Sequence, residues 1–451
     1  MGACLLALHA AAAVRAADDA DRIPAAVLQE DDAPLLQVRR IGPVYVELNV
    51  ESTERRAPVV PIAAMAPSRQ VARAIVDARA EWQPRPDLGV RLSGRIGASR
   101  TRDGELSDDQ QLDLREAALQ WRASDRDLVD LGRINMRNGA ALGYNPTDYF
   151  RSRTTVDHST RDPEAQRNNR LGTVMLSGQR IEPGYSLTAA LAPKLAEPAG
   201  LLAAQPTGRL RLADTNGEQR LLFKAAFDAT AYGSPEFLAF RDGQGWRFGS
   251  NLTQGLGRQA TMFVEYSGGR RPSVQQQALE SGVALGELPA RALAMGGPRS
   301  GDAWQSDLAA GATWTGSARL NLSAQLNYHQ AGFDRDEWRR WLATGRSGPE
   351  GAALAWYVRS YANAVQEPLT RRSLFLRAQW DQLGFRDLYF SALLNRSLDD
   401  RSWLFQMALE YRLNASARLR GTVLGTGGSA DSLYGSDPAR RVFLLGFTYF
   451  L

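Results

Sequence analysis

From about residue 70 to its end, the chain is written with a period of two. Between Val71 and Trp82, the residues Ala72, Ala74, Val76, Ala78, Ala80 and Trp82 share one face, and Arg73, Asp77, Arg79 and Glu81 share the other. From Arg319 to His329, Leu320, Leu322, Ala324, Leu326 and Tyr328 alternate with Arg319, Asn321, Ser323, Gln325, Asn327 and His329. Side chains alternate faces along a strand, so each such segment is extended, with one oily and one wet face. A soluble sandwich also alternates, but its strands run nearer five or six residues. Here the segments are about 10 to 13 residues long, charges run the full length of the wet face, and the oily face often ends in an aromatic. Aromatics at strand ends suit the two girdles of a membrane barrel, and a charged inner face suits a water-filled lumen.

The connections sort by length. Short links at Gln83 to Asp87, Ile181 to Gly184 and Asn414 to Ser416 alternate with long polar ones at Asn138 to Arg170, Pro193 to Gln219, Gly269 to Asp302 and Ala331 to Thr370. Short periplasmic turns and long external loops are the asymmetry of an outer-membrane barrel. The last segment, Arg441 to Leu451, places Phe443, Leu445, Phe447, Tyr449 and Leu451 on one face. Open sheet edges cannot be satisfied in lipid, so the sheet must close. Counting back from Leu451 to Val71 gives about 17 strands, and Val44 to Val50 supplies one more. The expected fold is all-β, a transmembrane antiparallel up-and-down β-barrel of about 18 strands, with 16 the alternative.

Residues 1–17 are expected to be a signal peptide, 18–42 an N-terminal periplasmic segment, and 43–451 the barrel. The apolar run before Asp18 is short, and Val14, Arg15 and Ala16 resemble a cleavage site. The single cysteine, Cys4, lies in that leader. Disulfide scaffolds, thiolate zinc sites and a cysteine nucleophile are thereby excluded from the rest of the chain. Three histidines make a polyhistidine metal centre improbable. No cofactor or metal is expected, and no clustered basic helix offers a nucleic-acid surface.

The stretch Leu112 to Arg151, with GRINMRNG at 132–139 and GYNPTDYF at 143–150, resembles a family of uncharacterised porin-like outer-membrane barrels of Gram-negative bacteria. In outline the chain is also similar to alginate-export-type barrels. The resemblance extends over about residues 110 to 270. It implies a fold and a location, with outer-membrane lipid and the barrel-assembly machinery as partners, rather than a substrate.

All but two of the 54 basic residues are arginine, the exceptions being Lys194 and Lys224. Residues on wet faces are the expected pore lining: Arg91, Arg95, Arg133, Asn135, Arg137 and Arg247, then Arg319, Asn321, Gln325, Asn327 and His329. Arg377, Asp387, Arg418 and Arg420 complete it. Facing rows of opposite charge hold a pore open and wet, whereas full pairing would fill it. Asn145, Pro146 and Asp148 are good turn chemistry, read either as a loop folding inward to constrict the pore or as a corner that orients an external loop. Gly143, just before them, is expected to permit an unusual backbone. Two helix-compatible stretches within Ala331 to Thr370 carry Trp338, Trp341, Trp356, Tyr357 and Tyr361, which form either a lid or the loop's own small core. His158 and His329 stand apart from any serine–histidine–carboxylate pattern, so an outer-membrane hydrolase is the least expected reading. The expected function is a non-enzymatic channel for a small hydrophilic solute, with the arginine excess favouring an anion. An export or scaffold barrel for a polysaccharide or lipid system is the alternative. Oligomeric state stays open.

Overall fold

The computed structural model describes residues 39–41, 44–60, 67–102, 109–202, 210–228, 233–296, 303–316 and 319–451. The expected signal peptide and nearly all of the 18–42 segment lie outside the described residues. Residues 39–41 form a short strand, β1 (Arg39–Ile41), against Ala80 to Trp82.

Eighteen further strands make the wall. The first half comprises β2 (Tyr45–Arg55), β3 (Gln70–Arg85), β4 (Leu88–Arg102), β5 (Asp109–Arg122), β6 (Asp127–Ile134), β7 (Thr173–Glu182), β8 (Tyr185–Ala192), β9 (Arg220–Phe227) and β10 (Ser234–Asp242). The second comprises β11 (Gly245–Leu256), β12 (Ala260–Arg271), β13 (Ala303–Thr315), β14 (Leu320–His329), β15 (Arg372–Asp381), β16 (Leu388–Ser397), β17 (Trp403–Arg412), β18 (Ala417–Gly427) and β19 (Ala439–Phe450). Each pairs antiparallel with its sequence neighbours. The ring closes where β19 pairs with β2, from Ala439 opposite Arg55 to Phe450 opposite Tyr45. The count is 18, and the segment at Val44 to Val50 is the strand that closes it.

The burial pattern is inverted relative to a soluble protein. On β14, Leu326 is 57% exposed while its neighbour Gln325 is 2% exposed. The same alternation leaves Leu322 and Tyr328 outside, and Ser323, Asn327 and His329 inside. On β19 the outward row is Phe443, Leu445, Phe447 and Tyr449. A surface this apolar is stable only against hydrocarbon, so the strands cross a membrane.

The eight links at the end bearing the termini are two to six residues long. Those at the far end reach 38 residues between β6 and β7 and 42 between β14 and β15. The far-end links carry the helices: α1 (Pro163–Asn168), α2 (Leu212–Thr215), α3 (Val274–Ala284), α4 (Ala292–Met295), α5 (Arg335–Arg346) and α6 (Pro349–Val365). Asp334 caps α5 in a capping box, its carboxylate accepting from the Glu337 amide while the Glu337 carboxylate accepts from the Asp334 amide. Trp338, Trp341, Trp356, Tyr357 and Tyr361 pack with Val274, Leu279, Phe333 and Val60 into one apolar core. The aromatics of this link are therefore spent on a helical cap's own interior. Trp356 Nε1 donates to the Val60 carbonyl at 2.8 Å, tying the cap to the link between β2 and β3.

Candidate functional site

The β6–β7 link, residues 135–172, folds into the barrel and touches inward side chains around the ring. Its sequence begins with a sharp bend: Gly139 has φ +72°, and the amides of Ala140 and Ala141 both donate to Glu265 Oε1 on β12, at 2.5 and 2.7 Å. Next, the amides of Leu142 and Gly143 donate to Gln325 Oε1 on β14, and Gln325 Nε2 returns a bond to the Tyr144 carbonyl. Gly143 has no positive φ. It is glycine because a Cβ there would meet the Phe375 side chain at 2.5 Å. The expected unusual backbone is thus a close approach to the β15 wall instead.

The Asn-Pro-Thr-Asp turn follows. Asn145 Oδ1 accepts from the amides of Thr147 and Asp148 at 3.0 and 2.9 Å, an Asx turn. Thr147 Oγ1 donates to Asn251 Oδ1 on β11 at 2.8 Å. Asp148 is gripped by both terminal nitrogens of Arg170, at 2.7 and 2.9 Å. Burial opposes the charge on Asp148, but Arg170 and Arg167 outweigh it and hold the carboxyl below its ordinary range. Asn145, Pro146 and Asp148 are all buried, so they form the internal corner of an inward-folded segment. Tyr149 stacks on Phe240 with centroids 4.6 Å apart, and Phe150 meets the same ring edge-on.

Beyond the corner the segment crosses to the opposite wall. Asp157 lies 3.3 Å from Arg95 on β4, and the Arg161 amide donates to Gln406 on β17 at 2.7 Å. Arg377 on β15 holds Glu164 at 2.7 Å and Asp162 at 3.1 Å. Asn169 meets Arg115 on β5. Along this second half, His158, Arg161, Glu164 and Asn168 are the exposed side chains. Enclosure by the barrel lowers the His158 pKa, and Arg161, Arg211 and Arg73 add to it over the opposing Asp157, taking it from 6.5 to about 4.

A second junction joins segment, wall and cap. His329 Nδ1 is 2.8 Å from Asp307 and 3.1 Å from the Tyr144 hydroxyl, and its Nε2 is 3.2 Å from Glu367. Glu367 also takes Arg151 at 2.6 Å. Burial opposes the Glu367 charge, but Arg151, Arg271 and His329 outweigh it and lower its pKa. His329 is 0% exposed.

The remaining expected residues fall in four places. Arg91 (3.3 Å from Asp130), Arg418 (3.1 Å from Glu410) and the half-buried Arg420 stand on inward rows. Arg247 also faces inward, over the rings of Tyr149 and Phe240. Asn327 is buried against Ser373. Asn321 sits at the foot of β14, bonded to Thr315. Arg319 and Asp387 lie in the short turns at the terminal end, Arg319 with φ +58° and 3.6 Å from Asp381. Arg133 stands opposite Ala117 and Val174, in the outward row of Leu131, and is buried at the far rim by the carbonyls of Gly172 and Leu210. Gly132 between them has φ +128°. Asn135 and Arg137 follow the end of β6; Asn135 accepts from Arg170, and Arg137 bonds Asn168. Sequence periodicity could not find Arg170, His158 or Arg161 as members of this arrangement, because all three lie in a segment with no strand period.

No protein-family model matches the chain, and no curated protein matches it. Solved structures do. The crystal structure of Acinetobacter baumannii OccAB1 matches with a TM-score of 0.50 at 9% identity, covering 91% of this chain and 96% of that one. Pseudomonas aeruginosa OccK11 (OpdR) matches with a TM-score of 0.50 at 12% identity, covering 91% and 95%. The likeness is one of fold: the chain shares the architecture of these barrels, a closed antiparallel ring of 18 strands with short links at the end bearing the termini and long ones at the other.

Proposed function

We propose that the chain is a channel for a small hydrophilic solute, narrowed by the segment 135–172 and selective for anions. The observation that carries this reading is the segment itself. It is pinned to the wall at β4, β12, β14, β15 and β17, yet it leaves His158 and Arg161 on an exposed face. A rigid strut with a polar free edge is how a barrel sets a constriction without closing it. With His158 neutral down to about pH 4 and the exposed Glu164 balanced by Arg377, the charge at that edge is set by Arg161, with Arg73 and Arg211 nearby. The expected lining residues Arg91, Arg418 and Arg420 would form the facing wall, and Arg95 and the Asn145–Asp148 turn would serve as the strut's anchors.

The test is single-channel recording of the purified protein in planar bilayers under a potassium chloride gradient. The expected result is a steady current with a reversal potential on the anion-selective side, unchanged between pH 7 and pH 5. Arg161→Glu should move that potential several millivolts or more toward cations. A folded protein that passes no current would remove the channel reading. A current indifferent to Arg161→Glu would remove the assigned constriction and leave the channel.

A further inference from the structure

The outward rows differ in character between the two ends of the barrel. At the periplasmic end they finish in aromatics with apolar cross-strand partners: Trp121 faces Leu88 and Val129, and Trp314 faces Ala260 and Leu322. At the external end, outward arginines stand directly opposite outward aromatics. Arg241 is paired with Trp246, and Arg270 with Trp304. The pattern recurs two hairpins on, with Arg372 opposite Tyr328 and Arg396 opposite Trp403. All four arginines are exposed. Arg372 also holds Asp399 at 2.8 Å, and Arg396 stands level with Leu374 rather than with Arg372, which leaves the first two pairs as the continuous set.

Those two pairs form a single row. Arg241, Trp246, Arg270 and Trp304 succeed one another on β10, β11, β12 and β13. The Arg241 guanidinium lies 5.7 Å from the Trp246 ring centre. Trp304 donates to the Tyr266 hydroxyl at 3.3 Å, and lies across Gly268, where a Cβ would meet its ring at 2.8 Å. The row is thus two guanidinium groups two strand spacings apart, about 10 Å, with an indole face between them.

Snorkelling to water alone would place arginines at both ends. At the periplasmic end, the outward Arg180 is instead neutralised by Glu182 at 2.8 Å and Asp127 at 3.7 Å. Arg319 and Arg386 are exposed in the turns of that end, and Arg39 stands opposite Trp82, but among the described residues two successive Arg–Trp pairs in one row occur only at the external end, and such a row calls for an anion that belongs to its leaflet. Guanidinium groups bind phosphate in a fork, and an indole face suits a sugar ring. We propose that the external rim of β10 to β13 binds the headgroup of an outer-leaflet glycolipid that carries two phosphates, one at Arg241 and one at Arg270, with its sugar over Trp246.

The experiment measures retention of lipid A by the full-length protein after detergent washing, using bis-phosphorylated, monophosphorylated and dephosphorylated forms. Retention should fall with each phosphate removed. Arg241→Gln with Arg270→Gln should lower it about tenfold, while Arg180→Gln should leave it unchanged. Heat-dependent gel mobility checks that each variant is folded. Should the double variant not fold, raising salt from about 0.05 to 0.5 M must release lipid from the wild type. Equal retention of the dephosphorylated form, full retention by the folded double variant, or binding indifferent to salt would each overturn the proposal.

Discussion

A methyl group at position 143 would have to share space with the Phe375 side chain. Overpacking of this kind costs about 1 to 3 kcal/mol when neighbours cannot yield, and here the neighbours are a wall strand and a segment fixed by Gln325. Gly143→Ala is therefore expected to lift the segment from β14, read as faster trypsin cleavage at Arg161 in a protein that still forms a barrel. Asp148→Asn acts on the same segment through charge. Removing one member of a buried pair costs about 3 to 5 kcal/mol, because the Arg170 guanidinium is left uncompensated. The pH dependence has a definite sign. The folded Asp148 carboxyl is depressed, so its stabilising contribution is complete above the ordinary aspartate range and is lost as pH falls through the folded value. Acidification well below pH 4 should thus release the segment in the wild type, whereas in the variant it should already be loose at neutral pH. The turn chemistry of Asn145 was readable from four letters. The partner of Asp148, Arg170, was not, because nothing in local spacing records which arginine returns to an aspartate across a loop.

The elements of the wall were largely legible, since every strand repeats one rule. Where the rule is followed, as on β14, faces and register can be read directly. Leu322→Arg would put a charge against lipid at a cost of about 2 to 4 kcal/mol and should impair assembly, while Asn321→Arg should assemble normally. Whole-cell abundance of heat-modifiable barrel separates the two outcomes, and equal abundance would mean that the register of β14 is wrong. Strand ends obeyed the rule less well. Arg133, Arg319 and Asp387 continue an alternation in sequence, but the chain leaves the strand, or passes Gly132 with its positive φ, before the alternation can fix a direction. A period of two says which face a residue would take, and is silent on where the ladder stops.

At the scale of the whole molecule, cap, segment and wall meet at Glu367. Among the described residues it is the one cap residue that binds both Arg151 of the segment and, at 3.7 Å, Arg271 of the wall. Glu367→Gln should leave the barrel intact and let cap and segment move independently, measured as greater open-channel noise in bilayer recordings, with no change expected in the heat-dependent mobility of the barrel. The seam between β2 and β19 has a different consequence. Tyr45 meets Phe450, so the pairing that completes the ring joins strands about 400 residues apart in sequence. Such distant partners are the slowest to find one another. Until they do, two edges carry unpaired amides that hydrocarbon cannot solvate. Biogenesis of this protein is accordingly a race between zippering of that last junction and capture of the raw edges by some other strand, and how quickly β19 finds β2 decides who wins.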